Sequence, residues 1–165
     1  MNGTKFKADC NSLLKDIPVN SPSLERAQAL QSVASSNGFD WADIGPVFEK
    51  IYEELAELKA EVKSAQTNVL HDDYAQNVLR QDERIECEQQ QKRLEDEFGD
   101  VLFCCVNLAR FINVKPEQAL ASTNDKFLRR FQFIEKQLFE SGSDFKEASL
   151  DELDEAWELA KKAGL

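Results

Sequence analysis

LEDEFGDVLFCCVNLAR, residues 94–110, sets large apolar side chains at Leu94, Phe98, Val101, Leu102, Cys105 and Ala109 and continues to Ile112, the three-and-four spacing of an α-helix. From Val101 onward apolar residues face every direction, so the second half of this helix is expected to be deeply buried. Upstream, VFEKIYEELAELKAEV, residues 47–62, places Val47, Phe48, Ile51, Leu55, Leu58 and Val62 on a stripe about 100° wide. Asp43 is positioned to cap that helix, and Pro46 falls in its first turn, where a missing N–H costs nothing. Two amphipathic helices of this kind bury their stripes by packing against each other.

The rest of the chain follows the same pattern. A helix is predicted from Ser23, as cap, through Leu24, Ala27, Leu30 and Val33 to a stop at Asn37-Gly38, with Phe39-Asp40-Trp41 as a loop. Pro116 opens another helix with Phe127, Phe131, Ile134 and Leu138 in one stripe, ending near Ser141-Gly142. Ser149 and Glu152 form the pattern of a capping box for a last helix, Leu150 to Ala163. With six glycines, four prolines and no convincing strand, the expected fold is an all-α helical bundle. Residues 1–22 read as an N-terminal extension, with a short helix from Phe6 to Lys15 ended by Ile17-Pro18 and Ser21-Pro22. Residues 23–163 read as one domain. Within it, Ser64 to Gln91 is polar and poor in large apolar residues, an insertion that either prolongs its flanking helices or stays mobile.

A net charge of −11 repels nucleic acid backbones and anionic membranes at long range, so a polyanionic ligand needs a local cationic device. The longest apolar run, Val101 to Val106, is far short of the ~20 residues of a membrane helix. The N-terminus carries no signal-peptide pattern, and a cytoplasmic location is expected. Cys10, Cys87, Cys104 and Cys105 lack CxxC spacing and read as reduced thiols, the adjacent pair as small buried hydrophobes.

Chemistry is concentrated in acids. Glu53, Glu54 and Glu57 on one helix, and Glu97 and Asp100 on the next, stand three or four apart beside the apolar stripes, with Asp100 entering the apolar region. By spacing alone these are either solvated helix faces or a cluster. Packed antiparallel, the two helices bring the carboxylates to one edge of the core, where they repel unless they bind protons or a cation. Oxygen-only donors suit Mg²⁺ or Mn²⁺. A ferritin-like di-iron site needs Glu-x-x-His pairs, and the only histidine, His71, completes none.

Glu53-Glu54-x-x-Glu57 followed by Glu97-x-x-Asp100 resembles the signature of the MazG family. The likeness extends over about residues 23–163, through Arg26-Ala27-Gln28, Gly38-Phe39-Asp40-Trp41, residues 94–110, Asn124 to Phe131 (NDKFLRRF) and Trp157, and is greatest to the second, catalytic domain of two-domain members. The resemblance implies Mg²⁺-dependent hydrolysis of an NTP or dNTP to a nucleoside monophosphate and pyrophosphate by a dimer, or dimer of dimers, of helical bundles. It implies Glu54, Glu57, Glu97 and Asp100 as metal ligands, Glu53 or Glu57 as a base, and Lys126 and Arg130 on the phosphates. It also places Lys50, Arg93 and Lys161 near the phosphates and Asn124 and Trp157 near the nucleotide. The forty residues between Glu57 and Glu97 exceed the family's usual spacing, and no companion MazG domain is present in the chain. A narrower dCTP or dUTP pyrophosphatase is the near alternative, and a non-catalytic helical interaction module the distant one.

Overall fold

The computed structural model describes residues 12–69 and 81–165, with side chains described over 12–65 and 85–165. Five helices and no strand occur among the described residues: α1 (Ser23–Ser36), α2 (Gly45–Val69), α3 (Gln81–Phe111), α4 (Pro116–Ser141) and α5 (Leu150–Lys162). They divide at Pro116 into two compact units. None of the described helices is long and apolar enough to cross a membrane. The all-α expectation holds.

In the first unit α3 is the shared element, packed on one side by α2 and on another by α1. The α2–α3 pairing is antiparallel, because Glu61 meets Gln90 and Arg93 while Glu54 and Glu57 meet Glu97. Val47, Val101, Val106 and Ala109 are buried and form the core of this unit. The polar insertion is helical at both ends, since α2 runs on to Val69 and α3 begins at Gln81. That resolves the alternative for those stretches, and His71 lies outside the described residues. Most of the predicted Phe6 to Lys15 helix also lies outside them; residues 13–16 form a turn.

Helix ends follow a common device. At the C-terminus of α1 the Phe39 N–H donates to Ala34 O and the Gly38 N–H to Ser35 O, which requires the left-handed conformation at Gly38 (φ 86°). Asn113 (φ 55°) does the same after α3, with Val114 N–H donating to Ala109 O and Asn113 N–H to Arg110 O. An asparagine tolerates this region better than most side chains. The N-terminus of α1 differs from expectation: Pro22 occupies the cap and no side chain accepts there, Ser23 being already helical. Asp43 does satisfy a donor of α2, accepting from Gly45 N–H at 2.9 Å.

The second unit is built on α4 and α5. Phe127, Phe131, Phe145 and Trp157 form an aromatic cluster with ring centroids 4.8–5.8 Å apart, and Ile134, Ala156 and Ala160 are buried. The capping box at Ser149 and Glu152 is complete, each side chain bonding the other's backbone N–H.

A further expectation fails. The second half of α3 is not deeply buried, because Leu102 and Phe103 are more than 40% exposed and Cys105 is exposed, with Phe98 on the preceding turn 52% exposed. Two packed neighbours cover only part of a helix that is apolar all round. Cys105 is accordingly no buried hydrophobe, and Cys104 is half-buried. Val106, 2% exposed in the C-terminal part of α3, is expected to carry much of the first unit's stability. Val106→Ala should lower it by about 2 kcal/mol, read as a reduced denaturation midpoint at unchanged m-value.

Candidate functional site

Three of the acids singled out in the sequence converge. Glu54 and Glu57, three residues apart on α2, and Glu97, on the facing turn of α3, each offer a carboxylate oxygen within 4.8 Å of the others. Glu54 is 5% exposed, Glu97 half-buried and Glu57 exposed, so the cluster opens from the α2–α3 seam towards solvent. Desolvation, together with the charges of Glu57, Asp100, Glu54 and Glu61, pushes the Glu97 carboxyl above its usual range. An all-oxygen set of this kind, with repulsion as its dominant electrostatics, fits a hard divalent cation. Asp100, one turn beyond Glu97, is exposed rather than sunk into the apolar region, although its charge is felt at Glu97.

Lys50 supplies the local counter-charge. Its Nζ donates to Glu53 at 2.8 Å and to Glu54 at 2.7 Å, and these bonds hold the ammonium well above its ordinary pKa. Glu53 is thus turned towards Lys50 on the exposed side of α2 and stands outside the three-carboxylate cluster. Arg93 is engaged further along the seam, donating to Glu61 at 3.2 Å and to Gln90 at 2.6 Å.

Beside the cluster lies a cavity of about 680 Å³ within the first unit. Glu54, Asp100 and Lys50 form its acidic end, and Phe103, Cys104, Asn107 and Arg110 continue along α3 at helical spacing. Gln31 of α1, with Phe39 and Trp41 of the following loop, also lines it. Burial and the neighbouring Glu54 charge push the Cys104 thiol up, leaving it a neutral wall group. The loop is pinned by Asp40, whose carboxylate accepts from both terminal nitrogens of Arg110 at 2.8 and 2.7 Å and from the Ser35 hydroxyl at 2.6 Å. These bonds hold the Asp40 carboxyl below its usual pKa of 3.8. Arg110 is in turn braced on Asn107 Oδ1 and over the Phe111 ring.

The remaining predicted residues lie in the second unit. Arg130 donates to the backbone oxygen of Leu165 at 2.8 Å and sits over the Trp157 ring at 5.4 Å. Lys161 is paired with Glu158 at 2.7 Å, and Asn124 and Lys126 are exposed on α4. Sequence reasoning passed over Gln31, Asn107 and the Asp40–Arg110 pair as parts of the site. The available signal was a glutamine within the apolar stripe of α1 and two polar residues three apart, Asn107 and Arg110, at the end of an apolar helix.

No family model matches the chain. It is 36% identical over 152 residues to the nucleoside triphosphate pyrophosphohydrolase of Escherichia coli K12, covering 92% of this chain and 49% of that protein. It is 40% identical over 140 residues to the nucleoside triphosphate pyrophosphohydrolase/pyrophosphatase MazG of Thermotoga maritima, covering 85% of this chain and 44% of that protein. The chain therefore spans about half the length of the curated relatives it matches, and the resemblance to MazG proteins carried by its motifs is borne out.

Asp40 yields a pH-dependent expectation. Because its pKa is depressed on folding, its contribution is fully present above 3.8 and is lost as the pH falls through the lowered folded-state value. Asp40→Asn should therefore lower the melting temperature by a few degrees at neutral pH, and the gap from wild type should close in acid; thermal scans across pH 2–7 check this.

Proposed function

We propose that the chain hydrolyses nucleoside triphosphates, ribo- or deoxyribo-, between the α- and β-phosphates to a nucleoside monophosphate and pyrophosphate, with Mg²⁺ (or Mn²⁺) as cofactor. The observation that carries this reading is the convergence of Glu54, Glu57 and Glu97, with Glu54 also lining a cavity large enough for a nucleoside. The names of the two relatives, which match nearly the whole of this chain, support it.

Glu54, Glu57, Glu97 and Asp100 would hold the ion. When bound there, it supplies charge neutralisation for the triphosphate and a lowered pKa for water. The chain's own groups do the rest. A carboxylate at the solvent-facing side of the cluster, Glu57, takes the proton as water oxygen bonds to the α-phosphorus and the α,β-bridging oxygen leaves with pyrophosphate. Glu53 holds the Lys50 ammonium at the cavity's acidic end, where it can donate to a phosphate oxygen once Glu54 turns to the cation. Lys126 and Arg130, one turn apart on α4, are assigned to the departing pyrophosphate, with Arg93 and Lys161 as further phosphate contacts and Asn124 and Trp157 as nucleotide contacts; all six rest on the motif match.

The reading extends to a single MazG-like domain over residues 23–163 working in the cytoplasm to clear nucleotide pools. It also extends to a homodimer, or dimer of dimers, in which a second copy covers the apolar side chains Phe98 and Leu102 that α3 leaves exposed.

Pyrophosphate release from the eight common NTPs and dNTPs, with and without Mg²⁺, tests the reaction. Glu97→Gln and Asp100→Asn should each cut turnover by at least about a hundredfold, more than loss of a ligand's hydrogen-bonding support usually costs, while helical circular dichroism is retained. Full turnover in both variants would sink the assignment of these ligands.

A further inference from the structure

Gln31 is 8% exposed, and its Oε1 is buried without a hydrogen-bond partner. Its amide is oriented without ambiguity, because Nε2 donates to the Phe103 backbone oxygen at 2.7 Å and a carbonyl can only accept. The Gln31 side chain lines the cavity, and its oxygen is an acceptor shielded just behind that wall. A buried acceptor left unmade is costly, and native interiors rarely keep one without a use.

The surroundings indicate what would satisfy it. Asn107, two turns of α3 beyond Asp100 and thus roughly 10 Å along the cavity, has its Oδ1 occupied by Arg110 and offers a ligand N–H donors instead. Phe39 and Trp41, also in the wall, are 85% and 42% exposed, which leaves aromatic faces open at the cavity rim. An acceptor, a donor and aromatic faces, set about one nucleoside's length from the carboxylate cluster, match the edge and faces of a nucleobase.

We infer that this cavity receives the nucleoside of the substrate and that Gln31 is a specificity-determining residue whose Oε1 reads an N–H donor on the base. The inference rests on the triphosphate hydrolysis proposed above and adds where the base lies and what is read. Reading the base requires the Gln31 amide to turn its shielded oxygen into the cavity it lines. Substrates lacking the donor leave the acceptor unpaired, so discrimination enters mainly through KM.

The test compares kcat/KM for two pairs of Mg²⁺-triphosphates: CTP against 2-pyrimidinone riboside triphosphate, and ATP against purine riboside triphosphate, in which the second member lacks the amino donor. Wild type should favour the amino-bearing member by about tenfold or more in at least one pair. Gln31→Met, similar in volume but without the acceptor, should reduce that preference to within about threefold with little change in kcat. Equal use of both members by the wild type overturns the inference, as does a preference that Gln31→Met leaves intact. Should Gln31→Met fail to fold, the wild-type comparison decides alone. Absence of pyrophosphate from every triphosphate would instead bring down the activity itself, whereas release without discrimination removes only the role of Gln31.

Discussion

Repulsion among carboxylates at the α2–α3 seam is the constraint around which the first unit is arranged. Packing that buries Val47 and Val101 also forces Glu54, Glu57 and Glu97 together, and the fold holds this unfavourable grouping in place through apolar contacts on the same two helices. Lys50 relieves only part of it. Its ammonium reaches Glu53 and Glu54 but not the α3 side, and it is Glu97 whose proton affinity rises. The imbalance is local and is of the sign that a divalent cation corrects.

Rigidity in the adjoining cavity comes from a separate source. The left-handed turn at Gly38 ends α1 abruptly, and the next residues are tied back by the two-pronged Asp40–Arg110 pair, itself braced on Asn107. Both members of that pair are mostly shielded, so the bond is stronger than an exposed ion pair of equal length. A loop carrying two aromatic side chains is thereby held at defined positions relative to α3. The acidic end and the aromatic wall are both referenced to one helix, and their separation is therefore set by helical rise rather than by loop conformation.

Much of this was legible in the sequence, for physical reasons that differ by residue. Helix identity and ends could be read because apolar spacing, Gly38, Pro46, Pro116 and the Ser149–Glu152 box act locally. The meeting of Glu54 and Glu57 with Glu97 was legible too, since antiparallel packing of two apolar stripes fixes what lies at their edges. What escaped was set by partners distant in sequence. Gln31 stands in the apolar stripe of α1, but what claims its amide, the Phe103 carbonyl, is 72 residues away. Asp40 and Arg110 are 70 residues apart, and neither has local spacing that announces the other. The cap of α1 was misread because a serine before an apolar run satisfies the pattern even where proline takes the position.

The exposure of α3 follows from the same geometry. A helix has room for several neighbours, and α3 uses one side for α2 and another for α1, leaving Phe98 and Leu102 uncovered within the first unit. Sequence hydrophobicity reports the total surface that must be hidden, not which element hides it. The uncovered face of α3 is therefore surface that α1 and α2 of the first unit do not themselves bury.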